Sequence, residues 1–188
     1  MLGLVLLIDE SGSMSSLETD VIKTINEFID NQKKELILED VKVTIATFNI
    51  HRKFLCKNEP LSTVKEFSSF IPRGPTALYD AICRTIRDVK KYDYSKVIFC
   101  IFTDGVENAS IVFTKADIQS IINDCKVENW NFIYICTSID SFQKESLVYQ
   151  GQELGITEGG YIDYKSIQSQ FSQQINSSFA TYYEQNIL

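Results

Sequence analysis

Three loops of the chain carry side-chain oxygens of the kind that bind metal ions. Asp9, Ser11 and Ser13 alternate along the loop after the first apolar run, and Thr76 and Asp104 lie in two later loops. Side chains that alternate along a looping segment can converge on one point. Two carboxylates and three hydroxyls, without sulfur or imidazole, suit Mg²⁺, with Mn²⁺ and Ca²⁺ as alternatives, and argue against zinc or copper. These residues predict a cation site with room for a carboxylate from outside.

Four residues beside these oxygens are candidates for a supporting role. Glu107 and Asn108 follow Asp104 closely, so each is either a solvated loop residue or a support for the metal-binding loops. Glu10 is interpreted as a charge on the rim of the site rather than a ligand. Tyr79 is either a core aromatic or a contact for a partner. The serines themselves have an alternative role as turn and helix-capping residues.

The sequence offers no catalytic machinery near these loops. His51, the only histidine, lies in a short turn and is interpreted as an exposed turn residue rather than a member of a catalytic triad. No GxSxG nucleophile turn, GxGxxG loop or GxxxxGK[ST] loop occurs. We therefore expect a binding protein, not an enzyme. Two alternatives stay open: a Mg²⁺-dependent hydrolase or phosphoryl-transfer enzyme, and a metal-independent scaffold with a vestigial site.

Alternating strands and helices are predicted to position the three loops. Residues 2–8 and 97–102 are continuous apolar runs, typical of central parallel strands. A strand near residues 52–56 follows so short a turn that it must pair antiparallel. The other predicted strands span residues 41–48, 130–136 and 161–163. The pattern predicts an α/β fold: a doubly wound, mostly parallel sheet with one antiparallel edge strand and helices on both faces, with ligands beyond the carboxyl ends of the strands.

Capping patterns and apolar spacing predict the helices. Ser15 with Glu18 and Thr114 with Asp117 have the spacing of capping boxes. Thr63 with Glu66 has the same spacing and predicts a short helix that ends before Pro72. Apolar residues at helical spacing predict two more helices, after Thr76 and over residues 167–182. A further helix is predicted over residues 140–154, where Gly155 ends it.

Length, charge and cysteine content limit the class of protein. The 188 residues fit a single domain over residues 1–188, and the net charge of −7 argues against nucleic acid or an anionic membrane as a partner. The first apolar run is too short to span a bilayer and lacks the basic segment of a signal peptide. Five cysteines without a CxxC pair predict reduced, buried thiols in a cytoplasmic protein.

Three segments resemble the signatures of the von Willebrand factor type A domain family. They are LLIDESGSM at 6–14, GPTALYDA at 74–81 and FTDGVEN at 102–108. The resemblance runs from residue 2 to about residue 137 and is strongest to the small stand-alone type A proteins of bacteria and phages. Pro75 stands where a second glycine is frequent in the family, a departure that stiffens the loop but leaves the hydroxyl of Thr76 in place.

The resemblance implies a function and a set of ligands. Asp9, Ser11, Ser13, Thr76 and Asp104 match the family's metal-ion-dependent adhesion site. In such sites the hydroxyls contact the metal directly, and the aspartates contact it directly or through water. An acidic residue of a partner completes the coordination. The resemblance therefore implies a metal-dependent protein–protein interaction module, with Mg²⁺ as the expected ion and a partner that exposes an Asp or Glu.

Overall fold

Six strands form one sheet at the centre of the fold. The structure, a computed structural model, describes residues 1–35, 41–137, 144–161 and 173. The strands are β1 (Leu2–Asp9), β2 (Val41–Phe48), β3 (Arg52–Pro60), β4 (Lys96–Thr103), β5 (Trp130–Cys136) and β6 (Glu158–Tyr161). Their order across the sheet is β3-β2-β1-β4-β5-β6, and every neighbouring pair is parallel except β2 with β3. The predicted mostly parallel sheet with one antiparallel edge strand is confirmed.

Helices cover both faces of this sheet. Within the described residues they are α1 (Glu18–Glu35), α2 (Leu78–Val89), α3 (Lys115–Val127) and α4 (Lys144–Glu153). Leu4 and Leu6 of β1 pack in one core with α1, whereas Val5 and Leu7 pack in a second core with α2, α3 and α4. Each apolar side chain buried in this way contributes about 1.5–3 kcal/mol. Burial on both faces explains why β1 is a continuous apolar run.

The register of the central strands brings two of the polar loops together. Ile8 of β1 pairs with Phe102 of β4, and the strands end at Asp9 and Thr103. Because β1 and β4 are parallel neighbours in this register, both end at the same edge of the sheet. The loops that follow them are therefore adjacent.

Two predicted helix starts are wrong. The segment Gly12–Leu17 forms a 3-10 helix, and the Ser15 hydroxyl donates to the Gly12 carbonyl at 2.7 Å instead of capping α1. After β3, only the 3-10 turn Leu61–Thr63 forms, and no helix follows it before α2. The third predicted capping box, at the start of α3, is confirmed.

The segment of residues 64–77, which we call the strap, runs from the 3-10 turn to α2 without regular structure. The Asn26 side chain of α1 donates to the Phe67 carbonyl at 2.9 Å and accepts from the Phe67 N–H at 2.7 Å. Lys33 donates to the Val64 carbonyl at 2.8 Å. These side chains supply the partners that a helix would otherwise give the backbone, which is why the predicted short helix does not form.

Several predicted features lie partly or wholly outside the described residues. They include residues 140–143 of the predicted fourth helix, residues 162–163 of the last strand and the predicted helix over residues 167–182, of which only residue 173 is described. β6 begins earlier than predicted, at Glu158. All five cysteines are buried and free, as predicted. None of the described helices is both long and apolar enough to cross a membrane.

Candidate metal centre

Two buried carboxylates stand where β1 and β4 end. Asp9, the last residue of β1, is 0% exposed, and Asp104, directly after β4, is 6% exposed. Within the part of the chain that the structure describes, neither carboxylate forms a salt bridge. Buried carboxylates are costly unless a cation or a metal compensates their charge. This pair therefore has the electrostatic character of a cation site.

Hydroxyls link the two carboxylates into one cluster. Asp9 accepts from the Ser11 N–H at 2.8 Å and from the Thr103 hydroxyl at 2.6 Å. The Ser13 hydroxyl donates to Asp104 at 2.6 Å, and the Ser11 and Ser13 hydroxyl oxygens lie 3.2 Å apart. The loop after β1 and the loop after β4 thus meet through their side-chain oxygens.

Thr76 brings a third loop into the cluster. A Cβ atom placed on Gly105 would lie 3.0 Å from Thr76 Oγ1, 3.5 Å from Ser13 Oγ and 3.6 Å from Asp9 Oδ2. Oxygens from two loops, the loop after β1 and the loop of Thr76, therefore lie within 3.6 Å of one point beside Gly105 of the loop after β4, and the glycine leaves that point free of a side chain. With the hydrogen bonds of Ser11 and Asp104, the structure brings together all five residues that the sequence nominates as metal ligands.

Burial controls the protonation of the two carboxyl groups. Loss of solvent raises the pKa of Asp9 to about 6, although hydrogen bonds from Thr103 and Ser11 partly oppose this. Burial also raises the pKa of Asp104 to about 7, where the hydrogen bond from Ser13 lowers it and the nearby charge of Asp9 raises it further. A divalent cation between the carboxylates would stabilise their charged forms and reverse this effect.

Glu107 and Asn108 hold the loop after β4 against the start of α2. The Glu107 carboxylate accepts from the backbone N–H groups of Tyr79, at 2.9 Å, and Ser110, at 2.7 Å. It therefore satisfies a free N–H at the N-terminus of α2. The Asn108 side chain accepts from the Thr76 N–H at 2.9 Å, and the Asn108 N–H donates to the Thr76 carbonyl at 3.0 Å. Asn108 thus fixes the backbone that carries the Thr76 hydroxyl.

Glu10 and Tyr79 contribute differently from the metal-ligand candidates. The Glu10 carboxylate accepts from the Ile71 N–H at 2.8 Å, and the Glu10 carbonyl accepts from the Arg73 N–H at 2.9 Å. Glu10 therefore anchors the strap. The Tyr79 ring is partly buried and packs against the apolar core beneath α2, α3 and α4. Burial raises the pKa of its phenol. His51 is exposed in the β2–β3 turn, as predicted.

Thr103 and Gln150, which the sequence does not nominate, also hold the site. The Thr103 hydroxyl donates to Asp9 and accepts from the Gly105 N–H at 3.1 Å. Gln150 of α4 accepts from the Glu107 N–H at 2.7 Å and donates to the Gly105 carbonyl at 3.3 Å. The place of Thr103, directly before an aspartate at a strand end, is a usable signal. Gln150 gives no signal, because 43 residues separate it from Glu107.

The donor set fits a hard cation. In the described parts of the chain, no group of three or more His, Cys, Asp or Glu residues is placed to hold a metal ion. The candidate site differs from such a group because hydroxyls supply three of its five side-chain donors. Oxygen donors with two carboxylates suit Mg²⁺ and related ions, which retain water in their coordination shell.

Comparison with known proteins finds solved structures of similar fold. No protein-family model and no curated protein matches the chain. The vWF domain of the type V pili tip protein Mfa5 from Porphyromonas gingivalis superposes with a TM-score of 0.72 at 12% identity, covering 94% of this chain and 95% of its own. Manganese-loaded TRAP protein from Plasmodium vivax gives 0.65 at 18% identity, covering 93% and 73%.

A third similar structure matches this chain over less than half of its own length. The ArnB paralog VWA2 from Sulfolobus acidocaldarius gives a TM-score of 0.60 at 16% identity. The match covers 89% of this chain but only 43% of the VWA2 chain, so the larger part of VWA2 has no counterpart here. At these identities the likeness is one of fold.

Proposed function

We propose that this chain, which has the fold of the von Willebrand factor type A domains, is a metal-dependent protein–protein interaction module. A divalent cation held by the cluster at the ends of β1 and β4 binds an acidic residue of a partner protein. The ligands are Asp9, Ser11, Ser13, Thr76 and Asp104. The observation that carries the proposal is the pair of buried carboxylates, Asp9 and Asp104, which share their hydroxyl neighbours and have no cationic partner among the described residues.

The charge of the donor set supports a carboxylate as the partner's group. Two carboxylates neutralise a divalent ion, and the three hydroxyls add no further charge. An ion bound in this way keeps enough Lewis acidity to accept one more anionic oxygen, and Mg²⁺ keeps waters in its coordination shell, one of which the partner's oxygen replaces. The manganese in the related TRAP structure supports a divalent cation. We propose Mg²⁺ as the ion for this chain.

The surroundings of the site support binding rather than catalysis. Ser13 is hydrogen-bonded to Asp104, and that carboxylate is itself a proposed ligand rather than a general base. The only histidine, His51, is exposed in the β2–β3 turn. Covalent catalysis needs an activated side-chain nucleophile, and phosphoryl transfer uses a phosphate-binding loop; the described residues of the three loops provide neither. The five buried free thiols support a cytoplasmic, reducing location, which is also part of this proposal.

Titration calorimetry with MgCl₂ and MnCl₂ tests the metal site directly. The wild-type protein, stripped with EDTA, should bind one divalent ion, and Asp9→Asn should not. Asp124→Asn, which removes an exposed carboxylate from α3, should bind the ion as the wild type does. Equal binding by the wild type and Asp9→Asn would refute the proposed site. Phosphatase assays of the metal-loaded protein with p-nitrophenyl phosphate should show no activity.

A further inference from the structure

Exposed apolar side chains are concentrated in the loops around the candidate metal centre. The large apolar residues of these loops that are exposed are Ile50, Ile71, Val106, Ile111 and Val112. In the described part of the chain, the remaining exposed large apolar residues are Val127 of α3 and Tyr149 of α4. Soluble proteins rarely gather exposed apolar side chains in one region unless that region binds something.

Two of these side chains flank the loops that follow β1 and β4. Ile71 is 62% exposed, and its N–H donates to the carboxylate of Glu10, the residue after Asp9. Val106 is 43% exposed and directly follows Gly105, at which the site oxygens converge. Both residues therefore lie next to the proposed ligands. Ile71 is held there by a hydrogen bond to the Glu10 side chain, and Val106 by its place in the chain after Gly105.

A third exposed apolar side chain borders the loop of Thr76. Ile50 is 50% exposed and follows Asn49, whose carbonyl accepts from the Ala77 N–H at 3.2 Å. Because Ala77 is the residue after Thr76, Ile50 lies beside the third loop of the site. Each of the three ligand loops thus has an exposed apolar neighbour. We call Ile50, Ile71 and Val106 the apolar rim.

The charge beside the apolar rim complements an acidic segment. Arg73 is exposed, and its N–H is fixed by the Glu10 carbonyl at 2.9 Å. Within the described residues its guanidinium forms no ion pair, although the chain as a whole carries a net charge of −7. A cation without an ion pair among the described residues, next to a metal site, favours an anionic partner there, whereas the net negative charge of the chain as a whole disfavours one.

We propose that the apolar rim recognises a partner segment in which the metal-binding Asp or Glu is flanked by apolar residues. The inference rests on the proposed function, because the metal supplies the contact that the flanking residues surround. A carboxylate on the ion fixes position, and burial of Ile71 and its neighbours by apolar side chains adds affinity and selectivity. The preferred partner sequence is therefore acidic at one position and apolar on each side of it.

Selection of a random twelve-residue peptide library displayed on phage tests this preference. The library is bound to the wild-type protein in MgCl₂ and eluted with EDTA, so that only metal-dependent binders are recovered. Recovered peptides should be enriched in Asp or Glu with apolar neighbours. The most enriched peptide is then synthesised, and its affinity is measured by fluorescence anisotropy for the wild type and its variants.

Three variants separate the apolar rim from the metal site. Ile71→Ser should weaken the peptide about tenfold, the loss expected when a half-exposed isoleucine no longer becomes buried. Val127→Ser removes a side chain that is 89% exposed but lies on α3, and should leave the affinity unchanged. Asp9→Asn should abolish binding. Calorimetry with MgCl₂ shows whether Ile71→Ser retains the metal.

The possible failures are distinguishable. The apolar rim is refuted if the recovered peptides lack apolar neighbours, or if Ile71→Ser binds as the wild type does while Asp9→Asn does not bind. Peptide binding that survives Asp9→Asn refutes the metal-dependent function itself. The rim is also refuted if it is already covered in the free protein. In that case Ile71→Ser would melt well below Val127→Ser, or would dissociate a dimer detected by light scattering.

Discussion

Replacement of Gly105 by alanine should remove metal binding while leaving the fold intact. The added methyl group would lie 3.0 Å from Thr76 Oγ1, 3.5 Å from Ser13 Oγ and 3.6 Å from Asp9 Oδ2. Mg²⁺ holds its oxygen ligands at about 2.0–2.1 Å in near-octahedral geometry. We therefore expect the methyl group to intrude on the coordination shell of a cation bound by these three oxygens. Gly105→Ala tests this without changing any proposed ligand.

The expected magnitudes separate loss of the metal from loss of stability. Gly105 does not have the positive φ found at Gly74, Gly155 and Gly159, so alanine is compatible with its backbone. Such a replacement stabilises a protein by about 0.4–1 kcal/mol, which the close contact with Thr76 offsets. A ligand at 100 times its Kd adds about 2.7 kcal/mol. At about 2–4 °C per kcal/mol for a domain of this size, Mg²⁺ should raise the wild-type Tm by about 5–10 °C.

Thermal unfolding with EDTA and with saturating MgCl₂ measures both effects. Without metal, Gly105→Ala should melt within a few degrees of the wild type, and with metal its Tm should not rise. Gly12→Ala is the matched control, because its methyl would meet no atom closer than 3.5 Å, an ordinary contact with the Gly74 carbonyl. It should keep the full metal-induced rise. An equal rise in Gly105→Ala would show that the cation does not occupy this space and would refute the assignment of the site.

Three further predictions concern the surroundings of the site. Burial raises the pKa of Asp9 to about 6 and that of Asp104 to about 7. Because both groups ionise at lower pH in the unfolded chain, the free energy of unfolding of the metal-free protein should fall from pH 4 to 7. Mg²⁺ affinity should rise over the same range by up to about tenfold per pH unit for each proton displaced, and a flat pH profile in calorimetry would contradict this. Asn108→Ala should weaken Mg²⁺ about tenfold because it frees the backbone of Thr76, whereas Asn123→Ala, exposed on α3, should bind Mg²⁺ as the wild type does. Gln150→Ala should lower the free energy of unfolding in urea by about 1–3 kcal/mol, because it leaves the buried Tyr134 hydroxyl without its partner; an unchanged value would refute that account.

The sheet and the oxygen cluster were predictable because their signals are local in the sequence. Continuous apolar runs identify β1 and β4 as central strands, and the rule that ligands lie beyond the carboxyl ends of parallel strands then selects Asp9 and Asp104. The register of β1 with β4, in which Ile8 pairs with Phe102, then places the two aspartates at the same edge of the sheet. The spacing of Ser15 and Glu18 predicts a capping box at the start of α1, and this cap does not form. A serine near a helix start can bond either forward to the helix or back to a carbonyl, and its hydroxyl here bonds back to Gly12.

The contacts of Asn26 and Gln150 with the loops were not predictable, because these side chains bond backbone far away in the chain. Asn26 binds the strap 41 residues later, and Gln150 binds the loop after β4 from α4. Neither contact repeats with the period of a helix or a strand, so no hydrophobic pattern reports it. The local capping pattern of Thr63 and Glu66 predicts a short helix before Pro72, in the part of the strap where the distant Asn26 instead bonds the backbone of Phe67.

Glu10, Glu107 and Asn108 restrain the loops that carry the proposed ligands. Two ionised ligand carboxylates repel each other without metal, so the loops that carry them need other restraints. Glu10 supplies one by holding the Ile71 N–H, and Glu107 and Asn108 supply others at the start of α2. None of the three is a proposed ligand, and each bonds backbone rather than the cation. The loops are thus positioned in the absence of a metal, so that little of the free energy of binding at the proposed site would be spent on ordering them.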